Sequence, residues 1–242
     1  DRTMLIKYMI RLAADRRGKV ATFMPKPLYS AAGSGMHVHQ NLWKAGTNLF
    51  WNPEGYSGLS ETALHYVGGL LEHGPAILGL TNASTNSFKR LVPGFEAPIH
   101  LSFGRANRSA AVRIPDEART AETKRIEFRP SDATGNPYLM LAAMAMAGID
   151  GIKRKIDPRE EGFGPLETSY HLLPEHERQR IRSLPLSMEE ALDALERDHE
   201  FLLQGGVFDE GLLKAWVALK RAEALDVRCR PHPREVSLYL DV

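Results

Sequence analysis

Apolar residues recur at helical spacing through residues 2–17, where Leu5, Ile6, Met9, Ile10, Leu12 and Ala13 form the repeat. Gly18 predicts the end of that helix, and KVATFM (residues 19–24) reads as a strand closed by Pro25 and Pro27. His37 and His39 alternate as in a strand, so both imidazoles are expected on one face. Residues 44–59 are rich in turn formers. Ser60 predicts the N-cap of a helix to about His73, broken by Gly74-Pro75 and followed by a short helix to Leu80. Asn136-Pro137 predicts the start of a helix to about Lys155, apolar nearly all round and so expected to be buried. After a loop-like stretch at 156–173, helices are expected at 175–183, 187–204 and 209–224. The tail from His232 alternates weakly, as a terminal strand or a short helix. Tyr138, the three tryptophans and Met140, Met144 and Met146 are expected in the core. The whole pattern predicts an α+β domain in which strands of the first half carry the site and helices cover its back.

Composition narrows the function classes. A chain of 242 residues, 43% hydrophobic and 25% charged, can bury a substantial core. The net charge of +1 argues against nucleic-acid binding by bulk electrostatics. The longest uncharged apolar run, Pro137 to Ile149, is too short to span a bilayer, so no membrane partner is expected. Cys229 is the only cysteine, which excludes an internal disulfide and predicts a reducing, cytoplasmic setting. No signal-peptide pattern opens the chain; it begins on Asp1 rather than Met and leads straight into a helical pattern, from which a piece of a longer protein is expected.

Charge is concentrated in one stretch. Between Asn86 and Arg129 stand nine Lys or Arg residues against five Asp or Glu. Arginine forks suit carboxylates and phosphates because they donate two parallel hydrogen bonds. In RIEFR, strand alternation puts Arg125, Glu127 and Arg129 on one face, an arrangement that suits a metal ion meeting a polyphosphate. Each feature also has a plainer reading. His37 and His39 could be metal or nucleotide ligands or ordinary strand histidines. The Gly33-Ser34-Gly35 turn could admit a ligand to the backbone or make a hairpin. Glu127 could hold a cation or complete an ion-pair ladder. Glu96, on the stiff loop VPGFEAP, could be a surface acid, a proton acceptor or part of a lid.

Four blocks in order, KPLYSAAGSGMHVHQ, NSFKRLVPGFEAP, RANRSAAVRIP and KRIEFRPSDATGNPYL, resemble the C-terminal catalytic half of a bacterial-type glutamine synthetase. The resemblance spans nearly the whole chain. It implies a curved, mainly antiparallel sheet backed by helices, with the family's N-terminal β-grasp domain and first metal-ligand strands absent. It further implies an ATP-dependent ligase that joins glutamate and ammonia through γ-glutamyl phosphate, with Mg2+ or Mn2+. By resemblance His37 and Glu127 are metal ligands. His39, Asn41, Arg108, Arg113 and Arg125 contact the nucleotide, and Gly33 and Arg90 bind glutamate. Glu96 is the flap acid, and Arg108 and Arg129 face the transferred phosphoryl group. A dodecamer of stacked six-membered rings is implied for the full-length family.

Departures from the pattern keep neighbouring functions in view. Ala32 stands where the family often has an Asn that contacts glutamate, and Asn41 replaces the usual Ser of the ATP signature. A relative joining glutamate to a larger amine, such as a polyamine, is therefore an alternative, as is a non-catalytic structural relative. Tyr170 lies near where some members carry an adenylylated tyrosine, in different surroundings. Two protein ligands do not close a metal site, so these 242 residues alone are not expected to turn over.

Overall fold

A computed structural model of the chain describes all residues except 96, 169, 241 and 242. The first helix, α1 (Arg2–Asp15), forms where the periodicity predicts it, yet none of its residues is buried. Its apolar stripe, including Leu5, Met9 and Leu12, faces outward. The Lys7 ammonium anchors the helix by donating to the Ala133 carbonyl at 2.6 Å. The strand expected at 19–24 does not form. Those residues run as irregular chain, with Val20 97% exposed. β-branched side chains make a strand only where another edge pairs with their N–H and C=O groups, and 19–24 has none.

The sheet lies in the order β1 (Val38–Gln40), β6 (Ile126–Phe128), β5 (Ala110–Ile114) and β4 (His100–Arg105). A hairpin of β2 (Trp43–Lys44) and β3 (Thr47–Asn48) follows β1. β6 runs antiparallel to both β1 and β5, whereas β4 and β5 are parallel. Val38, Phe128 and Val112 pair across one row and turn their side chains toward the core.

Helices back that core face. α2 (Glu61–Glu72) starts at Ser60, whose hydroxyl accepts from Ala63 N–H, and α3 (Gly74–Thr81) follows at once. A short helix that the periodicity did not predict, α4 (Thr85–Arg90), is capped by Ser84 and presents Arg90. α5 (Pro137–Arg154) begins at the predicted Asn136 cap and ends on Lys155 in a left-handed conformation. It is not buried all round, because Tyr138, Leu141 and Ile149 lie on an exposed face. Tyr138, 56% exposed, and Trp43 are thus surface residues, whereas Met140, Met144 and Met146 are core as expected. Trp51 and Trp216 are half-buried.

The closing helices depart from the predicted lengths for local reasons. α6 (Glu175–Arg178) stops early because residues 182–184 pair with the edge of β4, through Leu101 N–H to Arg182 O and Leu184 N–H to Ile99 O. The helix expected over 187–204 divides into α7 (Met188–Arg197) and α8 (Glu200–Leu203). Asp198 leaves helical geometry between them and accepts a 2.8 Å hydrogen bond from His73 Nδ1. α9 (Glu210–Arg228) runs longer than predicted, and the tail is helical as α10 (Pro233–Tyr239).

His73 joins these layers. It is buried at the α2–α3 junction with Nδ1 on Asp198 and Nε2 on Asp150 at 3.0 Å, and its ring stacks on Phe201. Gln204 and Arg154 also bond Asp150. Burial alone would lower the imidazole's pKa, but the hydrogen bonds and charges of Asp198 and Asp150 outweigh it and raise the value. Burial would raise Asp150, but hydrogen bonds from His73, Gln204 and Arg154 outweigh that and depress it. The stability His73 contributes is therefore complete below its unfolded value, about 6.5, and is lost as pH rises through the raised folded value. The Asp150 contribution is present above about 3.9 and lost as pH falls through the depressed folded value. His73→Gln is expected to cost roughly 3 kcal/mol between about pH 4 and 6.5, since Arg154 and Gln204 still hold Asp150. Thermal unfolding across pH 5–10 checks this: the gap to wild type narrows toward alkaline pH, and a gap that widens refutes the assignment.

Candidate active site

Register builds the site. His39, Glu127 and Arg113 pair side by side on β1, β6 and β5, so their side chains leave the same face of the sheet. Two residues along from the first two, His37 and Arg129 extend that face at one end, and Arg125 extends it at the other. The opposite face is the Val38–Phe128–Val112 row, which is why the charged residues are driven outward together.

Glu127 is the centre of the arrangement, only 3% exposed. Its Oε2 accepts from Arg113 Nη1 at 2.6 Å, and its Oε1 accepts from Arg129 Nη1 and His37 Nδ1, both at 2.8 Å. Burial would push its carboxyl up. The hydrogen bonds from His37 and Arg113 and the charge of Arg129 outweigh burial and hold it well below the usual carboxylate range. Burial lowers Arg129, and Glu127 opposes that shift. On the other side of its ring, His37 Nε2 stands 3.4 Å from Arg90 Nη2.

These groups open into one cavity of about 620 Å³, lined among others by Gly33, His37, Arg90, Arg108, Arg113, Glu127 and Arg129. Ala32 and Gly35 lie on its wall, and Gly94, Phe95 and Ala97 of the VPGFEAP loop border it. Glu96 itself lies outside the described residues. Gly35 permits the close approach of backbone to the charged groups, since a Cβ there would stand 2.5 Å from Arg90 Nη2 and 2.8 Å from His37 Nε2. A larger cavity of about 960 Å³, bordered by Lys26, Lys89, His232 and Arg234, shares Phe95 but holds none of the arginine–carboxylate cluster.

Not every residue singled out in the sequence reaches the cavity. His39 and Arg125 form a neighbouring pair, with Arg125 Nε donating to His39 Nδ1 at 3.1 Å. Burial lowers the pKa of His39; the Glu127 charge opposes this and the Arg125 charge adds to it. Glu117, which no motif pointed to, accepts from both Arg113 and Arg125. The Asn41 amide donates to the Lys124 carbonyl at 3.1 Å and is held to the backbone there. Tyr170 packs elsewhere, its ring stacked on His100.

Among the described residues no three His, Cys, Asp or Glu side chains converge as a metal cluster. His37 and Glu127 nevertheless suit two adjacent positions on one ion. Neighbouring ligands about 2.1 Å from an octahedral cation stand roughly 3 Å apart, close to the 2.8 Å between His37 Nδ1 and Glu127 Oε1. Such an ion would take the place of the proton they share.

An α+β chain that gathers arginines around one buried carboxylate and one imidazole has the make-up of an anion-handling catalytic domain. The chain belongs to the glutamine synthetase family, whose catalytic-domain profile matches residues 1–239. It is similar to the glutamine synthetase of Mycolicibacterium smegmatis, 51% identical over 243 residues, and to that of Aquifex aeolicus, 51% over 242. Each alignment covers 100% of this chain and 50% of the relative. Among solved structures it is similar to GmaS in complex with ADP, with a TM-score of 0.86 at 36% identity, over 100% of this chain and 54% of that one. It is also similar to the Plasmodium falciparum glutamine synthetase solved by cryo-EM, with a TM-score of 0.86 at 29% identity, over 99% of this chain and 53% of that one. The chain thus spans about half the length of the curated relatives it matches.

Proposed function

We propose that this chain is the catalytic half of an ATP-dependent ligase that joins glutamate and ammonia to give glutamine. The observation that carries the reading is the meeting of Arg108, Arg113, Arg129, His37 and Glu127 around one cavity beside the 92–98 loop. Phosphoryl transfer needs positioning and charge neutralisation more than covalent help from the protein. In the proposed reaction the glutamate side-chain carboxylate takes the terminal phosphoryl group of ATP. Ammonia then attacks the acyl phosphate, releasing phosphate. Arg108 and Arg129 face the transferred group, while Arg113 and Arg125, with His39 and Asn41, hold the nucleotide. Arg90 and the Gly33 backbone receive glutamate. Glu96 takes a proton from ammonium, and its loop excludes water from the acyl phosphate. A magnesium or manganese ion held by His37 and Glu127 would neutralise phosphate charge. Further ligands and the ring-shaped dodecamer would come from the remaining length that relatives carry and from neighbouring subunits. A cytoplasmic location belongs to the same proposal; no described helix is long and apolar enough to cross a membrane.

A second reading keeps the chemistry and changes the amine. Ala32 on the cavity wall offers no side-chain hydrogen bond, which leaves room for a substrate larger than ammonia. The test is phosphate release from ATP by the native full-length protein with glutamate and ammonium, set against a panel of amines. Release that depends on both glutamate and ammonium is expected. Preference for a larger amine selects the second reading, and no release with any amine removes both.

A further inference from the structure

Asp132 is a fully buried carboxylate that does not border the cavity and that the proposed chemistry leaves unused. It forms no ion pair among the described residues, and its charge is met by hydrogen bonds instead. Oδ1 accepts from the Thr134 N–H at 2.9 Å and the Thr134 hydroxyl at 2.6 Å, and Oδ2 accepts from the Asn82 amide at 3.2 Å. The same Asn82 amide donates to the Pro130 carbonyl at 2.9 Å. The segment 129–134 is thereby closed into a tight loop fastened to the end of α3.

That loop fixes three members of the site. Arg90 places Nη1 on the Pro130 and Ser131 carbonyls at 2.8 and 3.3 Å, and Nη2 on the Arg129 carbonyl at 3.0 Å. Ser131 accepts from Met36 N–H at 3.0 Å and donates its hydroxyl to Met36 O at 2.8 Å, so it sets the residue before His37. Arg129 is the first residue of the loop. The charges agree with the geometry. Burial draws the Arg90 guanidinium down to about 10, with the Asp132 charge opposing this and the Arg129 charge adding to it.

We propose that Asp132 is a positioning residue: it folds the 129–134 loop so that Arg90, Arg129 and His37 share one orientation, with Arg90 ready for a substrate carboxylate. The second part rests on the reading of Arg90 as the glutamate contact. Misplacing an orienting group by about 1 Å is enough to cost large factors in productive binding.

Two measurements test it. In the native full-length protein, Asp132→Asn removes the charge and turns a donor toward the Asn82 amide. It is expected to raise the glutamate KM about ten-fold or more while the ATP KM moves by less than about two-fold. Thr134→Val, which removes one hydroxyl and leaves the charge, is expected to change the glutamate KM by less than about three-fold. Equal rises in both KM values, or a fall in kcat alone, would overturn the positioning role. Should Asp132→Asn not fold, Asn82→Ala releases the same loop and is read against the same two outcomes. The other measurement does not depend on catalysis: side-chain 15N NMR of the native full-length protein. Slowly exchanging Arg90 Nη protons are expected in wild type and Thr134→Val and are lost in Asp132→Asn. Their persistence in that variant overturns the proposal. Their loss, where the native full-length wild-type protein shows no glutamate-dependent turnover, leaves the loop assignment standing and removes only the reading of Arg90.

Discussion

Glu127→Gln is expected to destabilise the chain by roughly 3–5 kcal/mol, the range for breaking a buried ion pair and stranding its partner. Glu127 accepts from Arg113, Arg129 and His37, and Arg129 is itself buried. The neutral amide keeps one acceptor and aims an N–H at a group that also donates. The pH dependence has a definite sign. Because the folded carboxyl lies below its ordinary value, its contribution is present above the unfolded value near about 4.3 and fades as pH falls through the folded one. The gap between wild type and variant in urea titrations should therefore be widest near neutral pH and shrink in strong acid. A neutral-pH difference under about 1 kcal/mol, ordinary for a surface change, would show that the arginines do not depend on this carboxylate. On the proposed reading of Glu127 as a metal ligand, the same substitution in the native full-length protein is expected to reduce phosphate release by at least about 100-fold, since even groups behind a metal ligand cost 10–100-fold when removed. Loss of stability without loss of release would leave Glu127 as part of an ion-pair ladder.

The other large effect is expected far from the charges. Gly69→Ala should destabilise by about 3 kcal/mol or more, at the upper end for overpacking. Helix propensity predicts the opposite sign, since Ala is favoured over Gly by about 1 kcal/mol in a helix interior. The difference comes from the crossing of α2 and α5. A Cβ on Gly69 would lie 2.1 Å from the Ala147 carbonyl oxygen and 2.8 Å from the Gly151 backbone. One on Gly151 would lie 2.3 Å from the His65 carbonyl oxygen and 2.5 Å from Gly69 N. These are backbone atoms, which cannot rotate aside, so the helices must separate and the core beneath them open. Gly69→Ala and Gly151→Ala should each lower the urea midpoint. Combined, they should cost less than their sum, because one separation relieves both. A stabilised Gly69→Ala would mean that the helices do not meet there.

Much of this protein is legible in its sequence because the signals are local. The caps at Ser60 and Asn136 act through hydroxyl or amide oxygens on backbone N–H groups two or three residues away, so neighbours in sequence suffice to predict them. The site residues were visible for a similar reason. RIEFR alternates within one strand, and the four motif blocks stand in order along the chain. Candidate site residues could thus be singled out without knowing what lies between them.

What the sequence left open depends on partners distant along the chain. KVATFM has strand-forming residues and finds no edge to pair with, whereas TNSFKR makes a helix that carries Arg90. The partners of His73, Asp150 and Asp198, lie 77 and 125 residues away and meet it only in the folded chain. The helix expected through 198 breaks to complete that contact. Gly69 of α2 and Gly151 of α5 stand where the two helices cross, too close for any side chain, and only the crossing shows it. The Asp132 carboxylate meets the Asn82 amide, 50 residues away, only in the folded chain. Periodicity, caps and motif order are written in neighbouring residues, so the sequence alone determined the helices they govern and the residue types of the site. Pairing, burial and the compensation of buried charge require groups from separate segments to meet, and only the tertiary structure decided those.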